Sequence, residues 1–485
     1  MRNPFAERLA RHAADPAAPP ALVLPDAEVS YAELHRRVEH AAAWLRAEGC
    51  AAGDIVGITI ADDVPHLVVA LALLGLGLPL VALPTYQPGP ARRKLAAALG
   101  VTRVVALDRV HALDGVALSL ATPSFLAQPG PTPLQESLSA DPDATAMFVA
   151  SSGSTGEPKL IALGARMLRM RHEQRAFPAR ERLLTWTTLE DVFGMSPRLD
   201  IAWSGATSVF RPPADAVPTA ALGAYCASKR VSRFGLGVLN ATTLVREAGA
   251  TLPAGLRVVA SGARVPMRLR EAYRALGRAH LQVEYGAREV GLISGTTVGE
   301  PDPDVESVGA VGPHAEVEVV DAEGRAVAPG DTGEVRVRTT SMIHGYHQDA
   351  AASARLFRDG WFHTGDVGAF APGGSLLLRG RVDDVMNLRG IKVYPSEIEH
   401  VLERDPAVRT AAAFALRSEL YGEIPVAAVE WQGEARPDPA ALLSLARAEL
   451  GVRAPRRVVV VDELPRLGNG KVARRDLVAL VERAR

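Results

Sequence analysis

Short β-rich runs alternate with helical segments along most of this chain, and that alternation restricts its fold more than any other feature. The runs VTRVVALD, TAMFVASSG, LRVVASGA and HLQVEYG begin at Val101, Thr145, Leu256 and His280. They predict an α/β protein with largely parallel sheets. Three of them end in small or glycine-bearing loops: TAMFVA runs into SSGSTGEPK, LRVVA into SGA, and LQVE into YGARE. Open parallel sheets bind ligands at the carboxyl ends of their strands, so these loops are expected to meet at one pocket.

The first clear helix is expected from Tyr31 to Glu48. Ser30 and Glu33 form a capping-box pattern, Leu34, Val38, Ala41 and Leu45 share a face, and Gly49 supplies the stop. The apolar stretch from Leu67 to Pro84 is borderline for a membrane span, but Gly75, Gly77 and Pro79 interrupt it. A buried helix followed by a buried strand explains it better. After about Ala315 the texture changes: EVEVVD and GEVRVRT read as strands joined by a glycine-rich turn, an antiparallel element beside the sheets. Near Arg381 it changes again, to a helix capped by Ser396 with Glu399, a strand RVVVVDEL and a terminal helix. A chain of 485 residues exceeds one core. The expected architecture is therefore a large N-terminal α/β domain, residues 1–381, built of parallel-sheet subdomains plus the antiparallel element. A small α+β C-terminal domain, residues 382–485, follows.

Composition excludes several classes. The formal net charge is −1, which gives no footprint for nucleic acid. Arg456-Arg457 and Arg474-Arg475 read as solvated surface. Two cysteines, Cys50 and Cys226, make neither a disulfide framework nor a zinc site, and the amino terminus lacks the apolar core of a signal peptide. The expectation is a cytoplasmic protein without a membrane span.

Ser151-Ser152-Gly153-Ser154-Thr155-Gly156-Glu157-Pro158-Lys159 joins glycines, which let backbone approach a ligand, to hydroxyls and a cation that suit phosphate oxygens. The spacing is not that of a Walker P-loop, which argues against a P-loop ATPase. Alone, the run reads equally as a flexible loop. It resembles, however, the phosphate-binding signature of the adenylate-forming superfamily: acyl- and aryl-CoA synthetases, nonribosomal peptide adenylation domains and luciferases. Four further blocks resemble that superfamily's motifs in the same order: Tyr285-Gly286-Ala287-Arg288-Glu289, then Gly360 to Asp366, then Gly380 to Asp384 with Gly390, Lys392, Pro395 and Glu397, then Pro465 to Lys471.

The resemblance implies a soluble AMP-forming ligase. It would join AMP to a small carboxylic acid, release pyrophosphate, and pass the acyl group to a phosphopantetheine thiol. ATP and Mg²⁺ are implied, with CoA or a separate carrier protein as acceptor. By the same resemblance Ser152, Thr155 and Lys159 hold the β- and γ-phosphates, Glu289 holds Mg²⁺, and Tyr285 lies near adenine with the Gly262-Ala263 backbone. Asp366 and Arg381 fix the ribose. Lys471 is the cationic clamp on carboxylate and α-phosphate, an unperturbed lysine being protonated at neutral pH. Asp383 is the hinge of a mobile C-terminal domain whose rotation presents Gly390 and Lys392 for thiol transfer. Without the motif contexts, Asp366 reads as a turn cap and Lys471 as a surface lysine.

The match departs at Arg288, where the superfamily carries threonine or serine; arginine could supply a charge-assisted hydrogen bond to the α-phosphate or point away. In Thr188 to Gly194, Glu190 and Asp191 compete for the slot nearest the acid, with Phe193 alongside. Asp191 could grip a substrate amine or hydroxyl, or cap the following helix. An enzyme loading an aryl or amino acid onto a separate carrier protein is the alternative to a CoA ligase. A non-catalytic nucleotide binder is a remoter one.

Overall fold

The computed structural model describes residues 3–128, 137–139, 141–151, 159–212, 216–297, 306–418, 422–433, 435–466 and 472–483. Its apolar stretch forms the helix Asp63–Leu76, closed by Gly77 in the left-handed conformation (φ 70°), and then the strand Leu80–Ala82. Every residue from Pro65 to Leu76 is buried, as expected of a helix that is apolar all round. It shares one core cluster with Val56, Ile58 and Met147 of one sheet and with Leu22 and Val29 of another.

The first sheet has six strands in the order 117–120, 103–106, 56–59, 80–82, 145–151 and 159–164. All neighbours are parallel except the last pair, in which Lys159–Gly164 returns along Thr145–Ser151. The second sheet has nine strands in the order 310–311, 291–295, 280–287, 257–261, 233–237, 182–185, 207–209, 22–23 and 28–29. It is parallel from 280–287 through to 22–23 and antiparallel at both edges. The loop-bearing runs thus lie in two sheets, Thr145–Ser151 in the first and Arg257–Ser261 beside His280–Ala287 in the second.

The helix expected at Tyr31 spans Tyr31–Ala47, with Ser30 Oγ accepting from the Glu33 N–H at 3.1 Å. Leu34, Val38, Ala41 and Leu45 are all buried, and Gly49 has φ 88°. The Tyr31 hydroxyl donates to the Ala206 carbonyl at 2.6 Å, tying this helix to the second sheet. A third, antiparallel sheet begins at Ala315, with strands Ala315–Val320, Gly333–Thr339, Trp361–Phe370, Phe357–Arg358 and Leu376–Arg381. A fourth comprises Ile391–Val393, Met386–Leu388, Gly422–Trp431, Val408–Ser418 and Arg457–Val461 around a separate core that includes Met386, Ile398, Val408, Val429 and Leu442. Among the described residues no helix is long and apolar enough to cross a membrane. Cys50 and Cys226 are buried, unbonded thiols.

Two local expectations fail. The helix Pro395–Leu402 is not capped by Ser396, which sits inside its first turn; the N-cap is Tyr394, without a side-chain bond. The Ser396 hydroxyl is spent on the Arg379 carbonyl (2.7 Å), with Glu306 Oε1 at 2.9 Å, and Glu399 accepts from the Ala413 N–H and from Arg474 (2.6 Å). Tertiary partners outcompete the local box. Arg474 is correspondingly no solvated surface charge, because it is paired with Glu399 and lies 3.5 Å from Asp384.

The C-terminal unit docks through two arginines that follow the strand Arg257–Ser261. Arg264 pairs with buried Glu403 at 2.8 Å. Arg268 donates to the carbonyls of Pro406 (3.2 Å) and Val408 (2.7 Å) and to that of Asp405. These groups stand just past the helix Pro395–Leu402, where a cation also meets the negative end of the helix dipole. Glu403→Ala would leave Arg264 without its carboxylate. It should weaken docking by about 3 kcal/mol, read as faster proteolytic cleavage between residues 381 and 386 with the far-ultraviolet spectrum unchanged.

Candidate functional site

The strand Thr145–Ser151 leads into the glycine-serine-threonine run. Ser152, Gly153, Ser154, Thr155 and Gly156 lie outside the described residues, as does Lys471, and of Ser151 only the backbone is described. Lys159 opens the return strand, and its ammonium stands 4.9 Å from the centre of the Tyr346 ring. Burial, with the nearby Arg355 charge, pulls the Lys159 pKa below the usual lysine value, while Glu289 and Asp349 oppose the shift. The Tyr346 hydroxyl donates to Glu289 Oε1 at 2.8 Å, and Glu289 is buried. Cation, ring and carboxylate thus form one group, in which Tyr346 is a member that the sequence reading missed.

Glu289 sits in the turn after the strand His280–Ala287, and that turn is held from below. Arg171, on the helix Ala165–Gln174, donates from Nη1 to the Arg288 carbonyl (2.8 Å) and from Nη2 to the Glu289 carbonyl (2.9 Å). The Glu289 carbonyl also accepts from the Ile343 N–H at 2.9 Å. A lone carboxylate so fixed, beside a lysine, suits a hard cation that shares its remaining ligands with phosphate. Among the described residues there is no cluster of three or more metal-ligating side chains.

Tyr285 and Arg381 converge on Asp366. The tyrosine hydroxyl donates to Oδ2 at 2.5 Å, and Arg381 Nη1 donates to Oδ1 at 2.9 Å and to the Thr364 carbonyl at 2.7 Å. Asp366 and Arg381 are cross-strand partners in register, which is why residues fifteen apart in sequence meet. Burial, and then the Asp366 charge, hold the Tyr285 phenol well above its ordinary pKa, so it remains a donor. Each carboxylate oxygen keeps a second lone pair, so Asp366 can still accept hydroxyl protons from a ligand.

The strand ends of the two sheets meet at Arg288. Its guanidinium donates to the Ala150 carbonyl, at the threshold of the glycine-serine run, and its carbon lies 5.6 Å from the centre of the Phe193 ring. Burial lowers its pKa, with Asp191 the main opposing charge. Phe193 is 45% exposed. Gly262 has φ 87°, and a Cβ built there would stand 3.6 Å from that ring. Gly262, Ala263 and Gly286 are exposed.

Glu190 and Asp191 each meet a backbone N–H. Asp191 is the N-cap of the helix Val192–Ser204, its Oδ1 accepting from the Phe193 N–H at 2.8 Å. Buried Glu190 accepts from the Thr85 N–H (2.5 Å) and hydroxyl (3.0 Å). On the C-terminal unit, Asp383 lies exposed in the turn Val382–Asp384, directly after Arg381. Strands Met386–Leu388 and Ile391–Val393 are joined by Arg389 (φ 52°) and Gly390 (φ 89°), the two-residue turn that needs positive φ at both positions. Lys392 is exposed on this hairpin.

Residues 9–347 match the AMP-binding enzyme family, and residues 397–471 match the AMP-binding enzyme C-terminal domain. An indoleacetate–CoA ligase of Aromatoleum aromaticum is 30% identical, over 99% of this chain and 98% of the relative. A 2-succinylbenzoate–CoA ligase of Geobacillus kaustophilus is 29% identical, over 93% of each. Among solved structures, the amide bond synthetase McbA of Marinactinospora thermotolerans superposes with a TM-score of 0.86 at 25% identity, covering 98% of this chain and 99% of that one. The chain therefore belongs to the AMP-binding enzymes of the adenylate-forming superfamily and is an AMP-forming carboxylate ligase.

Proposed function

We propose that this ligase activates a small aryl or arylalkyl carboxylic acid and transfers it to CoA. The supporting observation is the pairing of Phe193 with the groups around it. The ring is the exposed apolar surface between Gly262 and Arg288, and the two acidic residues beside it are committed to backbone N–H groups. A flat apolar acid would pack its ring on that face. The names of the indoleacetate and 2-succinylbenzoate ligases point the same way.

In this reading residues 1–381 bind ATP and acid, and residues 382–485 form a mobile domain turning about Asp383. Ser152, Thr155 and Lys159 hold the β- and γ-phosphates. Tyr285 with Gly262 and Ala263 borders the adenine, while Asp366 and Arg381 hold the ribose. Mg²⁺, held by Glu289, supplies charge neutralisation to the phosphates. A carboxylate oxygen attacks the α-phosphorus, the bond to pyrophosphate breaks, and acyl-AMP forms. Two anions must approach for this, so Arg288 and Lys471 act as cations placed before the reaction begins. After hinge rotation Gly390 and Lys392 line the thiol's path. Sulfur then attacks the acyl carbonyl, and AMP departs as the thiol proton is released.

Carboxylate-dependent exchange of labelled pyrophosphate into ATP, across aryl, fatty and amino acids, tests the assignment. Aryl acids should support the fastest exchange and CoA should yield a thioester; fastest exchange with an amino acid, or loading only of a carrier protein, would overturn the substrate or the acceptor respectively. Lys471→Ala should lower exchange by about 100-fold or more while ATP affinity changes less than about threefold, measured by calorimetry. Asp191→Asn, an equally good cap, should keep both activity and thermal midpoint, whereas Asp191→Ala should cost about 1 kcal/mol of stability. Loss of activity in the asparagine variant would instead show that the charge serves the substrate.

A further inference from the structure

Arg171 is a half-buried residue whose guanidinium has no carboxylate hydrogen bond among the described residues. Its guanidinium is spent on backbone carbonyls from two segments: Arg288 (2.8 Å), Glu289 (2.9 Å), and Ser341, which accepts from both Nε (3.1 Å) and Nη2 (3.0 Å). A buried guanidinium ordinarily seeks a carboxylate, because desolvating its charge is costly. Here burial draws the pKa down to about 10, with Glu289 the leading opposing charge, so the side chain remains a cation at neutral pH. A neutral donor at this position would have spared the desolvation. What the cation adds is a fork of donors in one rigid plane, together with a positive field beneath the Glu289 carboxylate.

Gly291, the residue that resumes the strand after the turn, lies beside this fork and has φ 86°, a conformation that favours glycine. The same fork ties down Ser341, in the segment that reaches Tyr346, whose hydroxyl meets Glu289 Oε1. Arg171 therefore fixes both the turn that carries Glu289 and the segment carrying the tyrosine that orients it. Its helix, Ala165–Gln174, begins where the strand Lys159–Gly164 ends, so one rigid connection runs from the phosphate-side lysine to the carboxylate.

We propose that Arg171 is a positioning residue for adenylate formation, which sets Glu289 for MgATP through the carbonyls of residues 288, 289 and 341. This rests on the reading of Glu289 as the Mg²⁺ ligand. The test compares Arg171→Met, Arg171→Lys, Glu289→Gln and the Arg171→Met/Glu289→Gln pair by pyrophosphate exchange, titrating Mg²⁺ at fixed ATP and then acid at saturating MgATP. Arg171→Met should raise the Mg²⁺ concentration for half-maximal exchange by about tenfold or more and leave KM for the acid within about twofold. Arg171→Lys, which keeps the charge but loses the fork, should fall between it and the parent, and it carries the test if the methionine variant does not fold. The double variant should be no worse than Glu289→Gln, because one acts through the other. A lowered thermal midpoint with unchanged Mg²⁺ dependence in both Arg171 variants would overturn the proposal, as would losses that multiply in the double variant. Glu289→Gln with parental Mg²⁺ dependence would overturn the reading of Glu289 itself. An impaired Glu289→Gln beside unimpaired Arg171 variants would overturn only the role of Arg171.

Discussion

The burial of the helix Asp63–Leu76 is the constraint on which the remaining architecture depends. A helix apolar on every side must be covered on every side, and its neighbours include the helices Pro4–Ala14 and Tyr31–Ala47 and the strands Val56–Thr59 and Leu80–Ala82, in one core cluster that also takes in Leu22 and Val29 of the second sheet. Each fully buried Leu or Val gains roughly 1.5–3 kcal/mol from leaving water, so a helix with Leu67, Val68, Val69, Leu71, Leu73, Leu74 and Leu76 all buried is a large share of the cohesion between the sheets. Fixing the two sheets against one helix also fixes where their strand ends face. The end of Thr145–Ser151 and the turn after His280–Ala287 come within reach of a single side chain, the Arg288 guanidinium on the Ala150 carbonyl.

Polar chemistry between the sheets is then organised by arginines from one helix and its surroundings. Arg171 takes the carbonyls of residues 288, 289 and 341, while Arg175 pairs with Glu284 at 3.0 Å and Arg233 with the same carboxylate at 2.5 Å. His172, next to Arg171, is bonded to Asp200. Glu284 is the residue before Tyr285, so the strand delivering Tyr285 and Glu289 is anchored by charge pairs immediately upstream of the site. Such pairs contribute modestly to net stability because desolvation offsets them, but they punish any slippage of the strand. That is the property a site needs when it must present a tyrosine, an arginine and a carboxylate in fixed order.

How much of this was legible in the sequence followed the distance over which each feature is decided. The helix from Tyr31, with Ser30 and Gly49 at its ends, is settled by neighbours within four residues and was read almost to its last residue. The GEVRVRT run was read to both ends. Ser396 with Glu399 carried the same capping signature and misled, because partners up to 90 residues away claimed both side chains. Glu190 and Asp191 stayed ambiguous because a shift of one residue exchanges their directions, and the partner that claims Glu190 is Thr85, 105 residues upstream. Arg171 and Tyr346 carried no usable local pattern. Their partners at Arg288 and Glu289 are 117 and 57 residues away, and any surface helix could hold such an arginine.

The charge balance shows why a whole-chain figure was a poor guide to the site. A net charge of −1 describes the total, yet the cleft gathers Lys159, Arg288 and Arg381, with Arg171 beneath, against Glu289, Asp366 and Asp191. In a partly buried cleft such charges are screened less than on the surface, so what a polyanion meets is their arrangement. Asp366 is shared between Tyr285 and Arg381, and Glu289 is held by Tyr346 beside Lys159. Each acid is thereby neutralised locally, by a hydroxyl or a cation fixed to it, and stays available as an acceptor. These fixed charges lie between the strand ends, where the two sheets meet at Arg288.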